Sequence, residues 1–327
     1  MIRNITRFVL EKSPVCLTTR ILSYPVFMPY YHIVSNERLP HVSSLHYYKN
    51  NNQFLKDLDF LLFHFEPISL KDLIDAVENK KKIKKQSVLF TFDDGYAEQF
   101  SVIAPILYKK GIPAVFFITT NFIDNKELGF RNKASIIIDY LEKNQKIINK
   151  FCKKYLTDIR SNKNNYKIFL LSINYKTRAL LDEIANFLGI DYSHYLNKYK
   201  PYLKSDDIDK LIKMGFFIGS HSMDHPDYSE LSLNEQIEQT LESIAFLQSR
   251  FSLSYRVFSF PFSDNGIKKD FFKAIEGSLD LSFGNSTDSM KKAYWNLRRY
   301  NFERLSISSR EFFNRIVVKE MLNKYFL

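Results

Sequence analysis

Cysteine, glycine and tryptophan are scarce in this chain of 327 residues, which has two Cys, nine Gly and one Trp. Cys16 and Cys152 lie far apart and show none of the paired spacings of a zinc ribbon, a redox dithiol or a disulfide framework. Both read as ordinary thiols. No stretch approaches the roughly 20 apolar residues that span a bilayer, and the N-terminus lacks the compact apolar run of a secretory signal. A cytoplasmic or peripheral membrane location is expected. Neither a fixed-period repeat nor a Gly/Ser-rich or Pro-rich linker appears, which argues against separately folding modules. The region after Asp270 holds no histidine.

Charge and apolar residues are plentiful, at 25% and 45%, enough for a large core, and this excludes a fibre or a disordered tail. Lys+Arg total 47 against 36 Asp+Glu, a formal net charge of +11 that favours phosphate, anionic lipid or acidic glycan without choosing among them. Aromatics reach 16%, an excess that reads as compositional drift. Residues 1–24 set Ile2, Ile5, Phe8 and Val9 at helical spacing among Arg3, Arg7, Lys12 and Arg20. Such an amphipathic segment packs on the domain or lies on an anionic membrane surface. Lys80, Lys81, Lys82, Lys84 and Lys85 have no interleaved aromatics and read as a solvated loop, so nucleic acid is not expected as a partner.

Helical spacing at Phe54, Leu55, Leu58, Leu61 and Leu62 is followed by a short helix opened by Ser69 and Asp72. Val88 to Phe92 reads as a strand buried on both faces, residues 97–110 as a helix interrupted near Pro105 and closed by Gly111, and Ala114 to Ile118 as a second strand. Further strands are expected near Phe216 to Gly219, Val257 to Phe260 and Leu279 to Phe283. Ser232 to Glu235 is a capping box, and so is Ser308 to Glu311, which opens a last helix bearing Phe312, Phe313, Ile316, Val317 and Met321. Alternating strands and helices predict a parallel sheet in one domain over 25–327, with a polar helical insertion at about 125–205.

Asp93 and Asp94 end the first buried strand, and His221 and His225 follow another, spaced i and i+4 as on one face of a helical turn. An Asp and two His form a metal set with an open position, the pattern of a catalytic rather than a structural site. Gly95 permits a turn that lets the two carboxylates take different roles.

Leu89-Phe90-Thr91-Phe92-Asp93-Asp94-Gly95-Tyr96 resembles the first motif of the polysaccharide deacetylases, carbohydrate esterase family 4, and His221-Ser222-Met223-Asp224-His225 resembles the second. The likeness runs from about Pro29 to Asn301, with the insertion outside the common core. It implies a distorted (β/α) barrel of about seven strands. It also implies a divalent metal, most readily zinc with cobalt, nickel or iron as alternatives, on Asp94, His221 and His225, with Asp93 as general base. Phe260-Pro261-Phe262 is similar to the third motif, in which Pro261 and Phe262 would shape the substrate groove and a backbone N–H near Phe262 would face the tetrahedral intermediate.

The chain departs from the family pattern in two places. Ser259 stands where many members carry arginine, so Arg298 or Arg299 becomes the expected partner of the base, by resemblance to a subgroup with a late arginine. The usual late histidine acid is missing. Tyr30-Tyr31-His32 resembles the opening signature of a permuted subgroup acting on exopolysaccharides, which implies His32 as the acid and Tyr31 as a substrate contact. His41, His46, His64 and His194 read as surface or packing residues. The expected activity is metal-dependent removal of an N-acetyl group from an amino sugar of a polysaccharide or glycolipid. The rivals are removal of another acyl or formyl group from a lipid-linked sugar and a catalytically silent glycan-binding protein.

Overall fold

The computed structural model describes residues 26–81, 83, 86–156, 165–286, 296–303 and 308–316. The segment expected over 1–24, Lys82, Lys84 and Lys85 of the lysine run, and Val317 and Met321 of the last helix lie outside these residues.

The described chain opens with β1 (Val26–Phe27), β2 (Pro29–Tyr31), α1 (Asn51–His64), β3 (Glu66–Pro67) and α2 (Leu70–Glu78). α1 starts where Asn50 and Gln53 exchange side-chain and backbone bonds in a capping box, and its Phe54, Leu58 and Leu61 enter the core. Ser69 caps α2 by accepting from the Asp72 N–H. The run expected as one strand from Val88 to Phe92 is two, β4 (Ser87–Val88) and β5 (Phe90–Phe92). The first half joins a small parallel sheet of order β1-β4-β3, and the second enters the main sheet. Leu89 between them packs with Val26, Leu73, Val115 and Leu281, whereas Phe90 and Phe92 pack with Phe27 and Tyr31 and with Phe54 and Leu58 of α1.

A π-helical turn, Gln99–Ile103, leads into α3 (Ala104–Lys109), which holds Pro105 in its first turn. β6 (Ala114–Ile118) follows. The excursion after it comprises α4 (Phe130–Lys143), α5 (Gln145–Tyr155), α6 (Asn165–Ser172), α7 (Ala179–Leu188) and α8 (Tyr192–Tyr199), before α9 (Ser205–Lys213) returns to β7 (Phe217–Ser220). α4 to α7 share a core of their own that includes Ile137, Leu141, Phe151, Leu181 and Ile184, against which Phe262 of the barrel packs. α10 (Leu233–Phe251), β8 (Val257–Ser259), α11 (Lys269–Ala274), β9 (Leu281–Gly284), β10 (Asn296–Arg298) and β11 (Tyr300–Asn301) complete the named elements. Residues 309–316 are helical, with Phe313 buried among Phe27, Phe60 and Phe65.

The main sheet has the order β10-β9-β8-β7-β6-β5-β2-β11, and every described pairing in it is parallel. This is the expected distorted (β/α) barrel, with eight strands rather than about seven. The extra strand arises because one run of chain is broken at Arg299, whose N–H donates to Gly284 O at 2.7 Å, while the Tyr300 N–H donates to Met28 O at 2.9 Å. A single residue therefore bridges the sheet's two edges. With all strands parallel, their C-terminal ends share one rim, where such barrels carry their chemistry.

Candidate active site

Asp93 and Asp94 leave β5 at that rim. The Asp93 N–H still donates to Tyr31 O at 2.9 Å, but Asp94 and Gly95 both adopt φ of 75° and turn the chain. The turn sends the two carboxylates different ways, and for a non-glycine residue it is strained. Asp93 meets Arg299 in a fork, Nη1 to Oδ1 at 2.6 Å and Nη2 to Oδ2 at 2.8 Å. The guanidinium is buried between the Tyr30 and Phe117 rings, and it also donates to Thr91 Oγ1 at 3.2 Å and to Ser259 Oγ. Ser259 accordingly faces the arginine that replaces one in its own position. Of the two expected candidates, Arg299 makes the pair, and Arg298 instead lies over the Tyr300 ring.

His221 follows β7 and donates Nδ1–H to Ser259 O at 2.8 Å, which fixes its tautomer and leaves Nε2 as a lone-pair donor. His221 and His225 do not share the helical turn expected from their spacing. They flank a loop in which Ser222 and His225 have φ of 69° and 59°. The loop is held by bonds from His225 N to Ser222 Oγ at 3.0 Å, Met223 N to Gln239 Oε1 at 3.0 Å and Thr120 N to Ser222 O at 3.1 Å. Both Nε2 atoms approach Asp94 Oδ1, at 3.3 Å for His221 and 3.0 Å for His225. That oxygen is buried, yet no hydrogen bond of acceptable geometry reaches it. Three donors thus converge on a common point rather than bonding one another, and the set fits a divalent cation.

A second cluster faces these groups. Glu303 is fully buried, and its Oε1 lies 2.6 Å from His32 Nδ1 and 3.1 Å from His46 Nδ1. Its Oε2 accepts from the His32 N–H at 2.8 Å. Burial alone would strip the proton from His32, but the Glu303 carboxylate prevails and pushes its pKa up to about 9. The same imidazoles hold the Glu303 carboxyl far below its ordinary value.

Between the clusters opens a cavity of about 330 Å³, within the usual size of a ligand site. Asp93, Asp94, His221, His225, His32 and Arg299 all line it. Phe262 does too, at φ of 54°, with its ring 4.7 Å from that of His225 and its carbonyl held by Asn285 Nδ2 at 2.6 Å. Pro261 is not among the lining residues; Phe260 and Phe262 flank it and are. Tyr31 is also placed elsewhere. Its ring is fully buried against Phe54 and Phe92, and its hydroxyl donates to Asp57 at 3.3 Å. Side chains alternate along a strand, so Tyr30 and His32 share the cavity face and Tyr31 points into the core.

His46, read from sequence as surface or packing, is a wall of the cavity. His41 is a buried packing residue, 3.0 Å from the Tyr195 hydroxyl. Sequence reasoning also missed Glu303 and Arg131. Alternation from His32 could have found Tyr30, but no local pattern marks Glu303, which meets His32 from 271 positions away. The insertion reaches the metal-donor loop as well, since the Tyr175 hydroxyl donates to Asp224 Oδ2 at 2.5 Å.

Residues 80–276 match the family model described as polysaccharide deacetylase. The chain belongs to that family. Polysaccharide deacetylase membership makes it a hydrolase whose class of activity is the removal of acetyl groups from glycans. No curated protein matches the chain. Among solved structures, the Streptococcus pyogenes deacetylase PplD in complex with acetate is similar at 14% identity and a TM-score of 0.56, over 88% of this chain and 95% of that one. IcaB from Ammonifex degensii is similar at 13% and 0.52, over 90% and 96%. A de-N-acetylase from Aggregatibacter actinomycetemcomitans is similar at 15% and 0.54, over 88% and 99%. At these identities the likeness is one of fold, and it supports the polysaccharide deacetylase barrel. No described helix is long and apolar enough to cross a membrane.

Proposed function

We propose that this polysaccharide deacetylase removes the acetyl group from an N-acetylated amino sugar of a glycan or glycolipid, with Asp93 as general base and His32 as general acid. The observation that carries the reading is the facing arrangement in one cavity: an Arg299-paired Asp93 beside the Asp94, His221 and His225 donor set, and a proton-retaining His32 on the other side. A divalent metal held by Asp94, His221 and His225, most readily zinc, would act as a Lewis acid on water and on the amide carbonyl.

The chain's own groups supply the proton traffic. Asp93, aimed by the Arg299 fork, takes a proton from the attacking water as its oxygen bonds to the acetyl carbon. The Phe262 N–H is the candidate backbone donor to the oxygen that gains charge. His32 then gives its proton to the amide nitrogen, the C–N bond breaks, and acetate leaves a free amine on the sugar. A raised pKa suits His32 to this role, because an acid that kept no proton at neutral pH could not deliver one. The Glu303 contact therefore favours an active enzyme over a silent binding module.

Acetate release from a panel of N-acetylated oligosaccharides and glycolipids, with the protein loaded with zinc or cobalt and a chelated sample alongside, tests the reading. Chelator-sensitive release is expected. No release across the panel from protein holding one metal per chain would overturn it.

A further inference from the structure

The insertion contributes a feature that de-N-acetylation does not need. Gly129, Phe130, Arg131 and Asn132, the cap and first turn of α4, form one wall of the cavity. Gly129 is needed where it stands, because a Cβ there would lie 2.6 Å from Asn132 Oδ1 and 3.0 Å from the Phe122 ring. The Arg131 guanidinium lies over the rings of Phe130 and Phe262, 5.1 and 5.5 Å from their centroids. One of its N–H groups donates to Leu171 O. Among the described residues it has no carboxylate within ion-pair distance; Glu230 and Asp227 act on it only through space. The cavity's other guanidinium, on Arg299, is spent on Asp93. Phe262 touches both Arg131 and His225, so this free positive charge stands one ring away from the metal donors.

A half-buried cation is costly to keep without a partner, and a planar guanidinium stacked on aromatics presents its remaining donors edge-on as a fork for phosphate or carboxylate. No acidic residue occupies the first turn of α4, so nothing there competes for that fork. The turn's backbone N–H groups only add field of the same sign.

We infer that Arg131 recognises an anionic group, a phosphate or a carboxylate, carried by the substrate beside its N-acyl sugar. The inference rests on the deacetylase reading and narrows its substrate class from N-acetylated glycans at large to those bearing negative charge near the cleaved amide. The two sources of such charge are a sugar phosphate, as in a lipid-linked sugar, and a uronic acid neighbour, as in an acidic polysaccharide.

The test compares kcat/KM of the metal-loaded protein for three substrates: a neutral N-acetylglucosamine oligosaccharide, N-acetylglucosamine 1-phosphate, and an N-acetylglucosamine oligosaccharide containing glucuronate. The wild-type protein is expected to prefer one anionic substrate over the neutral one by about tenfold to a hundredfold, the range of a charge-assisted hydrogen bond, mostly through KM. Which anionic substrate wins identifies the source. In Arg131→Gln that preference should collapse towards one, and Arg131→Lys, which keeps the charge but loses the fork, should retain part of it. Equal use of neutral and anionic substrates by the wild-type protein would overturn the inference and leave the deacetylase reading standing. A preference that persists unchanged in Arg131→Gln would also overturn it. Failure of all three substrates would instead count against the deacetylase reading itself.

Discussion

The two sides of the cavity are built by opposite strategies. On the metal-donor side, short motifs place Asp94, His221 and His225 through backbone in rarely populated conformations, at Asp94, Ser222 and His225 themselves. On the side of His32, the proposed acid, the backbone is ordinary, and the geometry depends on one buried carboxylate, Glu303, gripping His32 and His46 from the far end of the chain. The first side stores strain in local sequence and is stiffened by neighbouring loops. The second stores electrostatic energy in a long-range contact. A site assembled in these two ways should respond differently to substitution on each side.

The largest effect is expected on the base that joins them. Asp93→Asn should lower kcat by roughly 10²- to 10⁴-fold, the usual share of general base catalysis, with the metal still bound as read by metal content after dialysis. His221→Ala or Asp94→Asn should instead lose the metal, so stoichiometry separates the two kinds of failure. If Asp93→Asn also loses the metal, the division of labour between the adjacent carboxylates is wrong.

Next in size is Glu303→Gln. With the carboxylate gone, burial is no longer outweighed, the His32 pKa should fall from about 9 to its ordinary 6.5 or below, and the alkaline limb of the kcat/KM profile should move down with it. The same contact makes stability pH-dependent. His32 binds its proton more tightly when folded, so its contribution is complete below pH 6.5 and lost as pH rises through about 9. Thermal melts across that window should show the loss in the wild-type protein and a flatter curve in Glu303→Gln. His46→Ala should act in the opposite direction and more weakly, since Glu303 would then be shared with no second imidazole and would hold the His32 proton harder. An alkaline limb that moves up slightly is the expected reading.

The smallest effect belongs to the insertion's hold on the metal-donor loop. Tyr175→Phe removes the bond to Asp224 while keeping the ring, and metal affinity measured by chelator competition should fall by less than about tenfold, below the usual loss for a direct outer-shell partner. No change would mean that the bonds within the loop suffice.

The contrast between the two sides also explains what could be read from sequence. Asp93, Asp94, His221 and His225 were legible because each pair sits within a few residues at a strand end. Their geometry was only partly so: spacing predicted a helical turn for the histidines, where Ser222 and His225 instead take left-handed conformations around a hydrogen-bonded loop. The alternation of strands and helices gave away the parallel sheet and the family resemblance its closure into a barrel, but no strand was expected over 296–301, where two short strands meet at Arg299. Tyr31 shows a one-residue error in facing, which in a strand inverts the side. Glu303 and Arg131 carried no pattern at all, since what makes each of them matter is a partner distant in sequence.

The break at Arg299 has a consequence for the order of assembly. Asp93 and the guanidinium that aims it are 206 positions apart, and the same residue joins the two edges of the sheet. During synthesis from the N-terminus every proposed metal donor emerges well before Arg299 does, because His225 is the last of them. A nascent or truncated chain ending short of this residue would own a complete donor set and an unaimed base. On the proposed roles, aiming the base and joining the two edges of the sheet would then be one event, so that a catalyst of this design gains its activity only on finishing its own fold.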